Sequence, residues 1–358
     1  MQKYFVLAAS IVINLCLGGI YAWSVFVPEL VAEYGYTTAQ TQIVFGTMIC
    51  LFTSVTMLTG RMEAKLGPRL MILISALLIF IGYGTAGCSG RNFYILWLGY
   101  SIGTGLAIGF GYVTVLALSI RWFEKRKGLA CGLVIAGYGC GAILLSSIAQ
   151  ALINRHWAVM SIFRLLSVLL GGLILISALL ICNPPHYHRR KSTATLRYRQ
   201  VFSSQRFYIL ALTSALGTFP GLLIIGNLKP MAISFGYGPS TGLLAIFMLA
   251  LGNTLGRIIG GLLHDRLKSA MIQILLGLVA ATALLLTSGG LAAALMLAVI
   301  WLVGISYGGI LANLPAQVAE EYGHENFGLV YPMILAAHGL TALFAAPAGG
   351  LIYDRCHT

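Results

Sequence analysis

The chain has 358 residues, of which 59% are hydrophobic and only 9% charged. Soluble domains carry about 25% charged residues, so this composition excludes a soluble globular protein and leaves an all-α polytopic membrane protein. The formal net charge of +13 could suit nucleic acid, but the basic residues gather in a few loops between apolar runs, as they do when charge fixes membrane orientation.

A helix needs roughly 20 apolar residues to cross a bilayer. Eleven runs meet that requirement, at 5–30, 41–60, 70–89, 93–120, 128–153, 161–182, 207–234, 241–263, 270–289, 291–315 and 328–352. The first follows directly on Met-Gln-Lys. It is too long for a signal-peptide core and no small-x-small cleavage site follows, so an uncleaved first helix is expected. The basic stretch RWFEKRKG (121–128) separates spans four and five. The longest polar stretch, Asn183 to Gln200, follows span six and holds Pro184, Pro185 and a basic cluster. It divides the chain into an N-terminal six-helix bundle (1–183), a cytoplasmic linker (184–206) and a C-terminal bundle (207–358). A cytoplasmic N-terminus puts both basic loops inside, in an inner (plasma) membrane protein.

The two parts echo each other. GRMEAKLGPR (60–69) follows span two and GGLLHDRLK (260–268) follows span eight; aligning Gly60 with Gly261 sets Ala64 against Asp265 and Lys65 against Arg266. A duplicated six-helix unit gives this pattern, and parallel repeats place a substrate site near the midplane between them. The second part has five spans, so a twelfth helix is expected to be missing.

Arg257 interrupts an apolar run between ALGNTLG and IIGGLLH, eight residues or roughly 12 Å of helix from Asp265. At the centre of a membrane an arginine costs at least about 2.5–3.5 kcal/mol. A salt bridge within the chain would offset this, but all nine acids lie near the ends of apolar runs. A bound anion is the favoured partner. His338, central in span eleven, is either a hydrogen-bonded core residue or a second, titratable anchor for an anion or a coupling proton. Tyr21, Tyr112, Tyr138 and Tyr307 sit inside spans beside glycines, deeper than interfacial belts, where each hydroxyl needs a partner in the backbone or in a ligand. Lys229, near the outer end of span seven, is expected to snorkel to the headgroups, with a gating or anion-attracting role as the alternative, and Pro220 to kink or interrupt that span.

The seven cysteines show no CxxC spacing and read as packing residues. There is no His/Cys metal cluster, GxSxG, HExxH or P-loop. The glycine-rich GYGCGA (137–142) lies inside an apolar helix with no strand before it, so neither an enzyme nor a cofactor is indicated.

GGIYAWSVF (18–26), the GRMEAKLGPR loop, RWFEKRKGLACGLVIAGYGCGA (121–142), GNTLGRIIGGLLHDRLK (252–268) and LPAQVAEEYGHENFG (314–328) resemble the major facilitator superfamily. Within it the nearest resemblance is to the oxalate/formate antiporter family, with monocarboxylate transporters as the competing family. The resemblance implies two six-helix bundles, alternating access, and a central cavity where basic residues from spans eight and eleven hold a carboxylate. It matches Arg257 to the family's span-eight arginine and puts His338 where oxalate-type members carry a lysine. It also puts Ala64 at the usual acidic position of the first loop, with Glu63 beside it. The expected function is therefore secondary transport of a small organic carboxylate, with protons as the candidate coupling ion and a monomer in the bilayer. The alternative is a truncated, transport-inactive remnant or carboxylate sensor.

Overall fold

The computed structural model describes residues 2–123, 127–185, 196–267, 277–278 and 292–356. Ten helices among these are long and apolar enough to cross a membrane. The ninth span expected from sequence, 270–289, lies outside the described residues. The other ten each correspond to one of these helices.

Span one, Gln2–Val25, is α1 (Gln2–Leu17) continued by a 3₁₀ segment, Gly18–Val25. A short α2 (Val27–Tyr34) has Pro28 in its first turn, where a missing N–H costs nothing, and ends on Gly35 with φ 73°. Thr37 and Gln40 form a reciprocal capping box that starts α3 (Thr38–Leu66), an arrangement contributing about 1 kcal/mol. Gly67, at φ 81°, makes the sharp exit into α4 (Pro68–Gly87), which again opens on proline.

Asn92 caps α5 (Phe93–Leu96), which runs through a π-helical stretch, Trp97–Thr104, into α6 (Gly105–Trp122). Then come α7 (Lys127–Ile153) and α8 (Val159–Ala178), followed by the short α9 (Tyr198–Phe202). Next are α10 (Gln205–Ser234) and α11 (Pro239–Leu267). The last element, α12 (Ala293–Cys356), is two spans joined across Gly323 at φ 76°, ψ 157°.

Helix α10 continues through Pro220 and Pro230, so the expected interruption of span seven is not found. The irregular backbone lies in spans one and four, at the 3₁₀ and π segments.

Small residues set the helix crossings, as expected where lipid supplies no hydrophobic drive between helices. A Cβ at Gly252 or Gly256 of α11 would overlap the backbone oxygens of Trp301 or Ile305. A Cβ at Gly304 or Gly308 of α12 would overlap those of Leu249 or Asn253. These reciprocal i, i+4 glycines let α11 and the first arm of α12 touch backbone to backbone. The second arm of α12 lies along α3, where Gly46 meets Ala342 and Gly339 meets Thr53. Helix α7 meets α11 where Gly139 faces Thr254. Large apolar side chains such as Leu77, Phe80, Ile176, Leu216 and Phe344 stay exposed on the outside of the bundle, as a lipid-facing surface requires.

At one end of the bundle, Arg121 at the foot of α6 makes a two-pronged ion pair with Glu63 of α3, at 2.5 and 2.7 Å, and donates to Asn183 at 3.0 Å. Glu63 stands one residue before Ala64, in the last turn of α3. Its counterpart at Asp265 lies among side chains outside the described set. The described cysteines Cys16, Cys50, Cys88, Cys140 and Cys182 are all free.

Candidate anion site

Five elements meet around Arg257: the 3₁₀ segment of span one, α6, α7, α11 and α12. The α11–α12 glycine crossing presses Gly256 against Ile305, which brings Arg257 beside Tyr307 two residues further on. Its Nε donates to Asn253 Oδ1 one turn earlier, at 3.2 Å, which steadies the planar group and leaves both Nη groups for other partners. The guanidinium charge acts on Tyr21, Tyr112, Tyr138, Tyr307, Tyr331 and His338, and the Tyr112 hydroxyl stands next to it. The side chain is enclosed by protein yet keeps accessible surface, as a group lining an internal space does.

Among the described residues the two ion pairs join Arg121 to Glu63 and Lys229 to Glu29; no carboxylate reaches Arg257. Lys229 does not snorkel, contrary to the expectation from its place near a span end. It is 2% exposed and held by Glu29.

The aromatic residues expected from sequence are brought together. Tyr21 from the 3₁₀ segment lies edge-on to Tyr138 of α7, with ring centroids 5.8 Å apart, and Tyr138 is likewise edge-on to Tyr112 of α6 at 5.1 Å. This contact depends on Gly18, where a Cβ would overlap the Tyr138 carbonyl oxygen. The hydroxyls of Tyr21 and Tyr307 face each other. The Tyr138 hydroxyl is buried and has no hydrogen-bond partner among the described residues.

His338 stands one step behind this cage. Its Nδ1 is 2.9 Å from Thr218 Oγ1 of α10, and its Nε2 is 3.5 Å from the Tyr307 hydroxyl. The Thr218 hydroxyl already donates to Ser214 O at 2.6 Å, so it can only accept from Nδ1–H. Nε2 then carries the lone pair, which faces Tyr307. The histidine is buried, at 3% exposure, and reaches the cage through that tyrosine.

Three members were not anticipated from sequence. Tyr331 is stacked on Phe327 at 5.1 Å, and Asn253 and Thr218 orient Arg257 and His338. The i, i+4 glycines of LGNTLG and GISYGG were a readable signal for the crossing that places Asn253. Nothing comparable marks Tyr331 or Thr218.

Comparison with known proteins places the fold. An Escherichia coli (strain K12) protein described as the uncharacterized MFS-type transporter YhjX is 25% identical over 354 residues, covering 95% of this chain and 86% of its own. The oxalate:formate antiporter of Oxalobacter formigenes is 21% identical over 360 residues, covering 98% and 85%. Among solved structures, an inward-facing, unoccupied bacterial homologue of the human lysosomal transporter Spinster matches with a TM-score of 0.73 at 17% identity, covering 98% of this chain and 81% of that one. The family model of the Major Facilitator Superfamily matches residues 9–346. This chain, a multi-pass membrane protein with that family's fold, belongs to the Major Facilitator Superfamily, whose members are transporters and not enzymes.

Proposed function

We propose that the protein is a secondary transporter of a small organic carboxylate, with Arg257 as the group that holds the anion. The observation carrying this reading is the unpaired guanidinium: the buried Lys229 and the partly buried Arg121 each have a carboxylate, whereas Arg257 faces tyrosine hydroxyls and no described acid. An uncompensated cation there is costly unless a ligand neutralises it, and a planar fork suits a carboxylate's two oxygens. Tyr21, Tyr112, Tyr138 and Tyr307 line the same space, and the partnerless Tyr138 hydroxyl is a donor ready for a ligand oxygen. One fixed cation suits one carboxylate group. His338, reached through Tyr307, serves as the coupling-proton site or as a second anchor when charged.

The oxalate:formate antiporter among the relatives supports an anionic substrate. Transport proceeds by alternating access between residues 1–183 and 207–358, joined by the linker 184–206. The protein works as a monomer in the inner (plasma) membrane, with the N-terminus on the cytoplasmic side where the basic loops lie. Counterflow of formate, lactate, pyruvate and oxalate in proteoliposomes tests this reading. Exchange of at least one monocarboxylate, lost in Arg257→Ala, is expected; no exchange of any carboxylate by correctly folded protein overturns it.

A further inference from the structure

The end of the bundle opposite the Glu63–Arg121 pair is fastened differently, by polar bridges that join α1–α3 to α10–α12. Lys229 of α10 is 2% exposed, and its ammonium has three acceptors, all from the start of the chain: Glu29 Oε1 at 2.9 Å, Glu29 Oε2 at 3.2 Å and Val25 O at 3.0 Å. On the far side, Asp354 at the end of α12 accepts from the backbone N–H groups of Thr38 and Ala39, at 3.2 and 3.0 Å. Those amides open α3, where first-turn N–H groups lack partners in their own helix and favour a negative charge. Between the two bridges, Gln42 Nε2 donates to Gly226 O at 2.8 Å, and Gly350 packs on the Ala39 backbone.

At the Arg121 end the described polar contacts differ. The ion pair there joins α3 to α6, and the bonds of Leu196 to Asn326 and of Ser204 to Tyr322 stay within the later part of the chain; across the two parts, Arg61 of α3 donates to the Tyr198 hydroxyl of α9 at 2.6 Å, with both side chains exposed. Met57 of α3 meets the later helices through an apolar cluster with Val201, Phe207, Leu314 and Met333.

We propose that Glu29–Lys229 and Asp354–α3 form a two-point latch that holds the Glu29 end shut and must release for the Arg257 site to open there. Ion pairs suit this task because their net energy is small: separation loses the Coulomb attraction but returns both ions to water. The grip therefore depends on discrete contacts that are all made or all lost, as a two-state switch requires. At the other end the described link is an apolar contact and one exposed bond from Arg61 to a neutral tyrosine hydroxyl, so parting it separates no ion pair and leaves Arg61 in water.

The latch is tested without any substrate, so its failure leaves the carboxylate reading untouched. Nitroxide labels at Glu33 and Ser240, both exposed and on opposite sides of the latch, report the width of this end in nanodiscs, with the native cysteines replaced. The parent should give mainly a short distance. Asp354→Ala, which removes a peripheral carboxylate, and Glu29→Gln should each raise the share of a longer distance by roughly tenfold, from a minor state of a few per cent or less. The charge swap Glu29→Lys with Lys229→Glu should restore the short distance. An unchanged distribution in monodisperse Asp354→Ala protein overturns the latch, even if Glu29→Gln fails to fold. A swap that stays wide overturns the part assigned to the ion pair.

Discussion

His338 Nδ1 donates to Thr218 Oγ1 at 2.9 Å because that hydroxyl has already given its proton to Ser214 O. This one relationship fixes the imidazole tautomer and presents a lone pair to Tyr307, so a residue from span seven determines what span eleven offers the cage.

His338→Gln separates two roles for the ring. Glutamine offers an amide N–H to Thr218 and a carbonyl to Tyr307, so the packing contacts survive. Melting temperature in detergent should stay within a few degrees of the parent. Exchange of substrate across equal pH should persist, while uptake driven by a pH gradient should disappear. Full gradient-driven uptake by the glutamine variant would assign His338 to packing alone.

Thr218→Val keeps the shape and removes the acceptor. A buried donor left without a partner costs about 1–3 kcal/mol. Thermal unfolding should shift down accordingly, and the double variant Thr218→Val with His338→Leu should recover most of the loss. Equal losses for single and double variants would show that the two residues are not coupled.

Tyr138→Phe removes a buried hydroxyl that has no partner among the described residues. Were it only packing, the change would be neutral or stabilising. Because the hydroxyl is read as a ligand donor, the variant should melt no lower than the parent yet show an apparent KM raised about tenfold, the worth of about 1.4 kcal/mol. An unchanged KM would remove Tyr138 from the site.

The glycines give a structural test. Gly18→Ala and Gly141→Ala would drive a methyl into the backbone oxygens of Tyr138 and Leu15, whereas a Cβ at Gly60 meets nothing within 4 Å. The first two should lose folded yield, since neither neighbour is a flexible side chain that can move aside. Gly60→Ala should gain about 0.5–1 kcal/mol from helix propensity. Expression and thermal melts of the three variants decide it.

Sequence alone carried much of this. Span positions follow from apolar run length, because lipid forces every backbone group into a helix, and Arg257 stood out because a mid-span charge has so few explanations. The convergence of Tyr21, Tyr112, Tyr138 and Tyr307 was expected as a set from their depth beside glycines. Lys229 was misjudged because its partner Glu29 is 200 positions away and proximity to a span end looks the same whether a lysine snorkels or pairs inward. Pro220 does not interrupt its helix, and the irregular backbone of the described spans lies at Gly18–Val25 and Trp97–Thr104. Thr218 and Tyr331 carry no local mark, since their roles exist only once distant helices meet.

The most direct test of the account is anion binding to purified Arg257→Lys protein. Lysine keeps the charge but replaces a planar fork with a point donor, so insertion and melting should stay close to the parent. Binding of the transported carboxylate, measured by equilibrium dialysis, should weaken at least tenfold and counterflow should collapse with it. Parent-like affinity and counterflow in folded Arg257→Lys protein, or in Arg257→Gln, would contradict the assignment of Arg257 as the group that holds the anion.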